Sequence, residues 1–181
     1  RDVLVWCRDP EHSAGLAAVR SPLSADALYD WDAMTRTLAA EEPWWQPGTQ
    51  HGYHPFTFGW LVGELIRRVD GRTPGQYFRE EIAGTLGADV HIGLAPAHDA
   101  RCADVLPSAS IPPEMLKAIS ERVTSPDSVV ARAYLNPFVM PHAFNSRAWR
   151  AAEIPAANGH ATARGLAEVY GAAACGDRTG V

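Results

Sequence analysis

The sequence predicts a chain built mainly of α-helices, with one short β-strand. Residues 57–70 carry apolar side chains at helical spacing, and a second helix start follows directly. The proline density between residues 95 and 160 disfavours long helices and central strands there. At 181 residues, one domain with a sizeable core is the expected organisation.

The first helix is predicted to begin after Ser24, a residue type favoured at the N-cap. Asp26 lies in its first turn, where a carboxylate complements the helix dipole. The following residues keep helical spacing: Leu28, Trp31, Met34, Thr35 and Leu38. Pro43 closes this segment, and Pro47-Gly48 forms a turn.

Residues 57–70 form the best-defined helix. Its apolar residues fall at i, i+3, i+4, i+7, i+8 and i+11: Phe58, Leu61, Val62, Leu65, Ile66 and Val69. Gly71 is placed to end this helix. The next helix begins at Thr73-Pro74-Gly75-Gln76, which combines a capping box with proline at the first helical position. It is predicted to end near Gly84.

The second half is predicted to be less regular. Residues 90–94 form a short strand, and the proline-rich region contains one short helix at residues 113–123. Three large apolar side chains of this region are expected to be buried: Leu135, Phe138 and Trp149. Asn158-Gly159 marks a turn. The last helix covers residues 162–175 and places four residues on one face: Leu166, Val169, Tyr170 and Ala173.

Composition excludes several classes of function. The apolar fraction is 46%, the charged fraction is 20%, and the net charge is −5, so the chain lacks the basic footprint of a nucleic-acid-binding protein. It has neither a polybasic stretch for a membrane surface nor an apolar run approaching the ~20 residues of a membrane span. Cys7, Cys102 and Cys175 are odd in number and far apart, so free thiols and a reducing compartment such as the cytoplasm are favoured.

The most informative segment surrounds Tyr53. The run His51-Gly52-Tyr53-His54-Pro55 follows Pro47-Gly48-Thr49 and leads into Gly59-Trp60-Leu61-Val62-Gly63-Glu64. This pattern resembles the tyrosine motif of the serine β-lactamase and esterase superfamily, which includes class C β-lactamases and penicillin-binding proteins. His12-Ser13-Ala14-Gly15-Leu16 similarly resembles the His-x-x-Gly-Leu turn of that superfamily.

Two further motifs of the superfamily are absent. The single lysine, Lys117, has Glu114 three residues before it, so no serine completes Ser-x-x-Lys. No Lys-Thr-Gly, His-Thr-Gly or His-Gly-Gly triplet occurs either. The chain, residues 1–181, is therefore interpreted as the central part of one such domain, and it is expected to be inactive alone.

The resemblance implies a fold and a mechanism. The whole domain would be α/β, an antiparallel sheet flanked by helices, with this chain supplying mainly its helical subdomain. The implied activity is hydrolysis or transfer of a small ester or amide acyl group through an acyl-serine intermediate, with Tyr53 exchanging a proton with the serine and the leaving group. No metal or organic cofactor is implied. The implied partners are the substrate and the missing segments of the same domain. His54 replaces the asparagine often found there, which favours an esterase.

Other residues have competing interpretations. Tyr53 could instead be an ordinary tyrosine packed near a helix start. His51 and His54 form a His-x-x-His pair, but no nearby acid or cysteine completes a metal site. Asp9, His12 and Ser13 lie too close in sequence for triad geometry. Simple packing roles are favoured for the remaining candidates: Trp44, Trp45, His160, and the pair Gly59 and Gly63.

A second class of function stays open. Because the nucleophile motif is absent, the chain could be a non-catalytic helical module or a degenerate relative without hydrolase activity. This alternative applies if the 181 residues are the entire natural protein. The hydrolase interpretation applies if they are part of a longer product.

Overall fold

The computed structural model describes residues 11–106, 112–123 and 125–176. The chain is mainly helical across these ranges. Its α-helices are α1 (Trp31–Ala40), α2 (Thr57–Asp70), α3 (residues 74–86), α4 (Pro113–Arg122), α5 (Val129–Leu135), α6 (Arg147–Ala151) and α7 (Ala163–Cys175). Three 3₁₀ helices lie at Ala25–Tyr29, Pro96–Arg101 and Pro141–Asn145. Strands β1 (Val90–His91) and β2 (His160–Ala161) pair antiparallel, with Val90 opposite Ala161.

The core lies between α1, α2, α6 and the segment after residue 13. Nine buried side chains form it: Leu16, Val19, Leu28, Met34, Leu38, Trp60, Leu61, Trp149 and Ile154. Burial of these side chains stabilises the fold, because each Å² of apolar surface removed from water contributes about 25 cal/mol of favourable free energy. Tyr53 lies in the segment of residues 41–56, which connects α1 to α2.

Helix α2 has the predicted bounds, and Gly71 ends it in the left-handed conformation at φ 90°. The face that it buries differs in part from the prediction. Leu61 is buried as predicted and Leu65 is half-buried, but Val69 is exposed, and Trp60 and Glu64 are buried outside the predicted face. Phe58, Val62 and Ile66 are half-buried and border a cavity. The physical reason for the difference is that Gly59 and Gly63 lack a Cβ, which lets neighbouring residues approach the helix closely on their side. A Cβ at Gly59 would lie 2.7 Å from the Ala156 nitrogen, and one at Gly63 would lie 2.5 Å from the Trp31 ring.

Helix α3 begins as predicted. The Thr73 hydroxyl accepts a hydrogen bond from the Gln76 amide, and the Gln76 side chain completes the capping box. Glu153 reinforces this start, because its carboxylate accepts hydrogen bonds from the Thr73 hydroxyl at 2.7 Å and from the Gly75 amide at 2.8 Å. The helix continues beyond the predicted end near Gly84, through a π-helical segment at Phe78–Ala83, and finishes at Gly87.

The single helix predicted after Ser24 is two elements. A 3₁₀ helix at Ala25–Tyr29 precedes α1, and the break falls at Asp30. The Asp30 carboxylate accepts a hydrogen bond from the Ala33 amide at 2.9 Å and so caps α1. Ser24 occupies an N-cap position but makes no side-chain cap hydrogen bond. The cap therefore lies six residues later than predicted.

The region of residues 95–160 contains more helix than predicted. Helices α5 and α6 and two 3₁₀ helices accompany the predicted α4, because the prolines in the described part of this region lie in a first turn or between elements. Trp149 is buried as expected, but Leu135 and Phe138 are exposed, so that part of the prediction is wrong. The strand predicted at residues 90–94 shortens to β1, because its partner β2 is equally short.

Helix α7 is capped by Thr162, whose hydroxyl accepts a hydrogen bond from the Gly165 amide at 3.0 Å. Gly165 is its buried residue, packed on the Asp89 backbone. Leu166 and Tyr170, on the predicted apolar face, are 45% and 72% exposed within the described part of the chain. Among the described helices, none is long and apolar enough to span a bilayer.

Candidate active site

A mostly apolar cavity of about 370 Å³ lies between α2, α3 and the chain near residue 155. Its apolar walls include Phe58, Val62, Ile66, Tyr77, Phe78, Ile82, Ile92 and Pro155. Tyr53, His12 and His54 add polar groups to this lining. An apolar pocket with a few converging polar groups is the usual form of a small-molecule site.

Tyr53 lies four residues before the start of α2. Its side chain is 63% exposed while still lining the cavity. The ring centroid of Tyr53 is 5.0 Å from that of His12. The Tyr53 ring is therefore not packed in the helical core.

His12 contacts the tyrosine segment through its backbone and its ring. The His12 carbonyl accepts a hydrogen bond from the Gly52 amide at 3.1 Å. Its Nδ1 accepts one from the His54 amide at 3.3 Å. His12 also has a positive φ of 53°, which is uncommon for a residue other than glycine. Tyr53 is thus flanked on both sides by amides that bond to one distant residue.

His54 is buried in the cavity wall, 1% exposed. Its Nδ1 hydrogen-bonds to the Gly52 carbonyl. The pKa of His54 is lowered to about 4, mainly by burial; the hydrogen bond to the Gly52 carbonyl opposes this shift, and the neighbouring His12 adds to it. His54 is therefore neutral at pH 7 and adds a polar but uncharged surface to the cavity.

Comparison with known proteins assigns this arrangement to a family. Residues 11–179 match the family model described as beta-lactamase. The chain belongs to the β-lactamase family. This confirms the resemblance inferred from the Tyr53 and His12 segments. The fold prediction is also confirmed, because the chain is a helical part of the α/β domain characteristic of these proteins.

Individual members of the β-lactamase family are similar over most of the chain. The "Esterase/beta-lactamase LipL" of Mycobacterium tuberculosis is 38% identical over 168 residues, covering 91% of this chain and 39% of the relative. A family VIII carboxylesterase of known structure is 40% identical with a TM-score of 0.77, over 90% of this chain and 41% of that one. A penicillin-binding protein homologue from Caulobacter crescentus is 38% identical with a TM-score of 0.78, over 97% and 44%.

The chain spans about two fifths of the length of these β-lactamase-family relatives. Their printed names include esterase, carboxylesterase and penicillin-binding protein homologue. These names support membership in a family of esterases and related hydrolases. The role of Tyr53 stays a prediction.

Of the remaining candidate residues of this β-lactamase-family chain, Gly59 and Gly63 line the cavity, whereas His51 and Ser13 do not. His51 is exposed and its Nδ1 bonds to the Glu11 carbonyl at 2.9 Å, so His51 and His54 have different surroundings. Within the described ranges, no group of three or more His, Cys, Asp or Glu residues is arranged to hold a metal ion. Ser13 is buried, and its carbonyl accepts a hydrogen bond from the Gly48 amide at 2.9 Å. Asp9 and Cys7 lie outside the described residues.

Trp44 and Trp45 are half-buried and fix the loop rather than line the cavity. The Trp44 indole donates to the Ala18 carbonyl at 2.8 Å, and the Trp45 indole donates to the Ser13 carbonyl at 3.3 Å. His160 lies in β2 and lines a second cavity with His91 and His98, where burial lowers its pKa. Cys102 and Cys175 are free thiols.

His12 lines the cavity beside Tyr53, which the sequence analysis did not predict. That analysis placed His12 in a His-x-x-Gly-Leu turn and considered for it only a triad role, which it disfavoured. Its contact with the tyrosine segment joins residues 42 positions apart. The turn motif was the available signal, since a motif shared with the family marks a required local conformation.

Proposed function

We propose that residues 1–181 are the central part of a single β-lactamase-family domain that hydrolyses small ester or amide substrates through an acyl-serine intermediate. Tyr53 is the proton-transfer group of that reaction. The observation that carries the proposal is the position of Tyr53, exposed on an apolar cavity directly before α2. The domain also requires a serine and a lysine, which would come from segments that this chain does not contain.

The chemistry follows from the properties of a phenol. The serine hydroxyl attacks the acyl carbon, its proton is taken up by the phenolate of Tyr53, and the leaving alcohol or amine receives that proton as its bond to the acyl carbon breaks. Water then hydrolyses the acyl-serine by the reverse transfers. Tyrosine has an ordinary pKa of about 10, so it is a weak base at neutral pH. A lysine ammonium nearby would favour the phenolate.

The cavity supports an esterase over a penicillin-hydrolysing enzyme. Its wall is formed mainly by apolar side chains of α2 and α3, which suit a short apolar acyl or alcohol group. His54, neutral at pH 7, adds an uncharged polar group to this apolar wall. Short-chain esters should therefore react faster than penicillins.

The test is Tyr53→Phe in the complete domain, with a p-nitrophenyl ester as substrate. Loss of one general acid–base group should lower kcat by roughly 10²–10⁴-fold. KM should change little, because the proton is transferred only in the transition state. The ring and its packing stay in place, so folding should be preserved.

The matched control is Tyr134→Phe, which makes the same change at an exposed tyrosine on α5 outside the cavity. It should retain wild-type kcat. This chain alone, which has no Ser-x-x-Lys, gives the background rate. A Tyr53→Phe enzyme with full kcat at neutral pH would show that Tyr53 does not transfer the proton.

A further inference from the structure

We infer that His12 is a positioning residue that sets the location of the Tyr53 side chain, an inference that rests on the proposed function. It is the only residue shown to bond both amides that flank Tyr53 in the described part of the chain. These are the Gly52 amide, which donates to the His12 carbonyl at 3.1 Å, and the His54 amide, which donates to His12 Nδ1 at 3.3 Å.

One hydrogen bond on each side of Tyr53 constrains its backbone more than a single hydrogen bond would. With the amides of residues 52 and 54 both held, the peptide units around Tyr53 cannot rotate without breaking a hydrogen bond. The bond to Nδ1 also fixes the tautomer. Because Nδ1 accepts, the ring proton of neutral His12 lies on Nε2.

The His12 ring adds a side-chain contact to these backbone bonds. Its centroid is 5.0 Å from Tyr53, 5.0 Å from Phe58 and 5.4 Å from His54. Tyr53 is largely exposed, so little other packing restricts its rotation. Displacing a catalytic group by about 1 Å can lower the reaction rate about 10²-fold. Restricting the Tyr53 side chain should therefore increase kcat.

The backbone of His12 is held in an unfavourable conformation to make these contacts. Its φ of 53° lies in the left-handed region, which costs energy for a residue with a side chain. The turn that follows is tied down by two bonds, from the Gly48 amide to the Ser13 carbonyl at 2.9 Å and from the Trp44 amide to the Gly15 carbonyl at 2.7 Å. Strain maintained in this way is characteristic of functional sites.

Two substitutions separate the imidazole from the backbone. His12→Gly removes the ring and permits the positive φ, so the loss of the ring is not accompanied by a disfavoured backbone conformation. His12→Asn tolerates the same φ and returns an amide oxygen that can accept from the His54 amide. In the complete domain, His12→Gly should lower kcat by about 10–100-fold with KM within about twofold. His12→Asn should recover most of that loss.

The decisive measurement combines His12→Gly with Tyr53→Phe. If His12 acts through Tyr53, His12→Gly should have no further effect on kcat once the phenol is removed. An equal fold-loss in both backgrounds, or full kcat in His12→Gly, would overturn the inference. The control is His51→Ala, which removes a nearby exposed histidine outside the cavity and should leave kcat unchanged.

A spectroscopic readout distinguishes this inference from the proposed function. In protein labelled with ¹⁵N-histidine, the His54 amide signal should move upfield and exchange faster in His12→Gly, and return in His12→Asn. An unchanged His54 signal would overturn the positioning role whatever the kinetics. Full kcat in Tyr53→Phe would instead overturn the proposed function. Circular dichroism of each variant verifies that it is folded.

Discussion

The Trp31 indole donates a hydrogen bond from Nε1 to the Glu64 carboxylate at 3.1 Å and thereby joins α1 to α2. Glu64 is buried, yet it stays ionised. Burial alone would raise its pKa, but hydrogen bonds from Trp31, Arg68 and Arg67 outweigh that effect and hold the pKa of Glu64 below its ordinary value. The buried carboxylate is therefore a structural element of the helix pair that supports the Tyr53 loop.

Glu64→Ala should lower the free energy of unfolding by about 2–3 kcal/mol, because it leaves the Trp31 indole without its acceptor. Urea-induced unfolding measures the change. Arg68→Ala is the control, since the Arg68 side chain is 57% exposed and its salt bridge to Glu64 should contribute less than about 1 kcal/mol. Equal effects of the two substitutions would contradict the assigned role of the buried carboxylate.

Gly63→Ala should destabilise the protein by about 1–3 kcal/mol through overpacking. The added Cβ would lie 2.5 Å from Trp31 Cη2 and 2.6 Å from Pro74 Cγ. Gly171→Ala is the matched control, because this glycine is also helical but a Cβ there meets no atom of the described residues within 4 Å. The control should be neutral or stabilise by up to about 1 kcal/mol through helix propensity. Thermal unfolding of both variants tests whether the close approach of α1 and α2 requires glycine.

The free energy of unfolding should decrease as the pH is lowered from neutral, because the folded protein lowers the pKa of His54. Its folded pKa of about 4 lies below the ordinary 6.5, so the unfolded chain binds more protons between these values. The contribution of neutral His54 is present above pH 6.5 and lost as the pH falls towards 4, by at most about 3 kcal/mol. His54→Asn should reduce the difference in unfolding free energy between pH 7.5 and pH 5. His142→Asn, at an exposed histidine, should leave that difference unchanged.

The sequence predicted those secondary-structure elements whose start and end depend on residues close together in the chain. The bounds of α2, the glycine that ends it and the capping box of α3 all depend on residues within a few positions of one another. The break at Asp30 was missed, because Ser24 and Asp30 are both good caps and only tertiary packing selects between them. The π-helical segment in α3 likewise has no distinct sequence pattern.

The buried face of α2 could be predicted only in part. Leu61 of the predicted apolar face is buried, but Phe58, Val62 and Ile66 of that face line a cavity, whereas Gly63 and Glu64 are buried. For the candidate site, the motif singled out Tyr53, which lines the cavity, while its role stays a prediction. The approach of His12 to Tyr53 could not, since it joins distant positions and depends on how the loop of residues 43–52 folds back.

The turn at Asn158-Gly159 has a consequence for chemical durability. An asparagine followed by glycine is prone to deamidation, in which the next backbone nitrogen attacks the side-chain amide. Here Asn158 is buried; its amide nitrogen donates to the carbonyls of Trp149 and Ala152, and its oxygen accepts from the Ile154 amide. A side chain held in this way cannot rotate into the attacking geometry. The folded state thus protects its own covalent structure, and each unfolding event exposes Asn158 to irreversible damage.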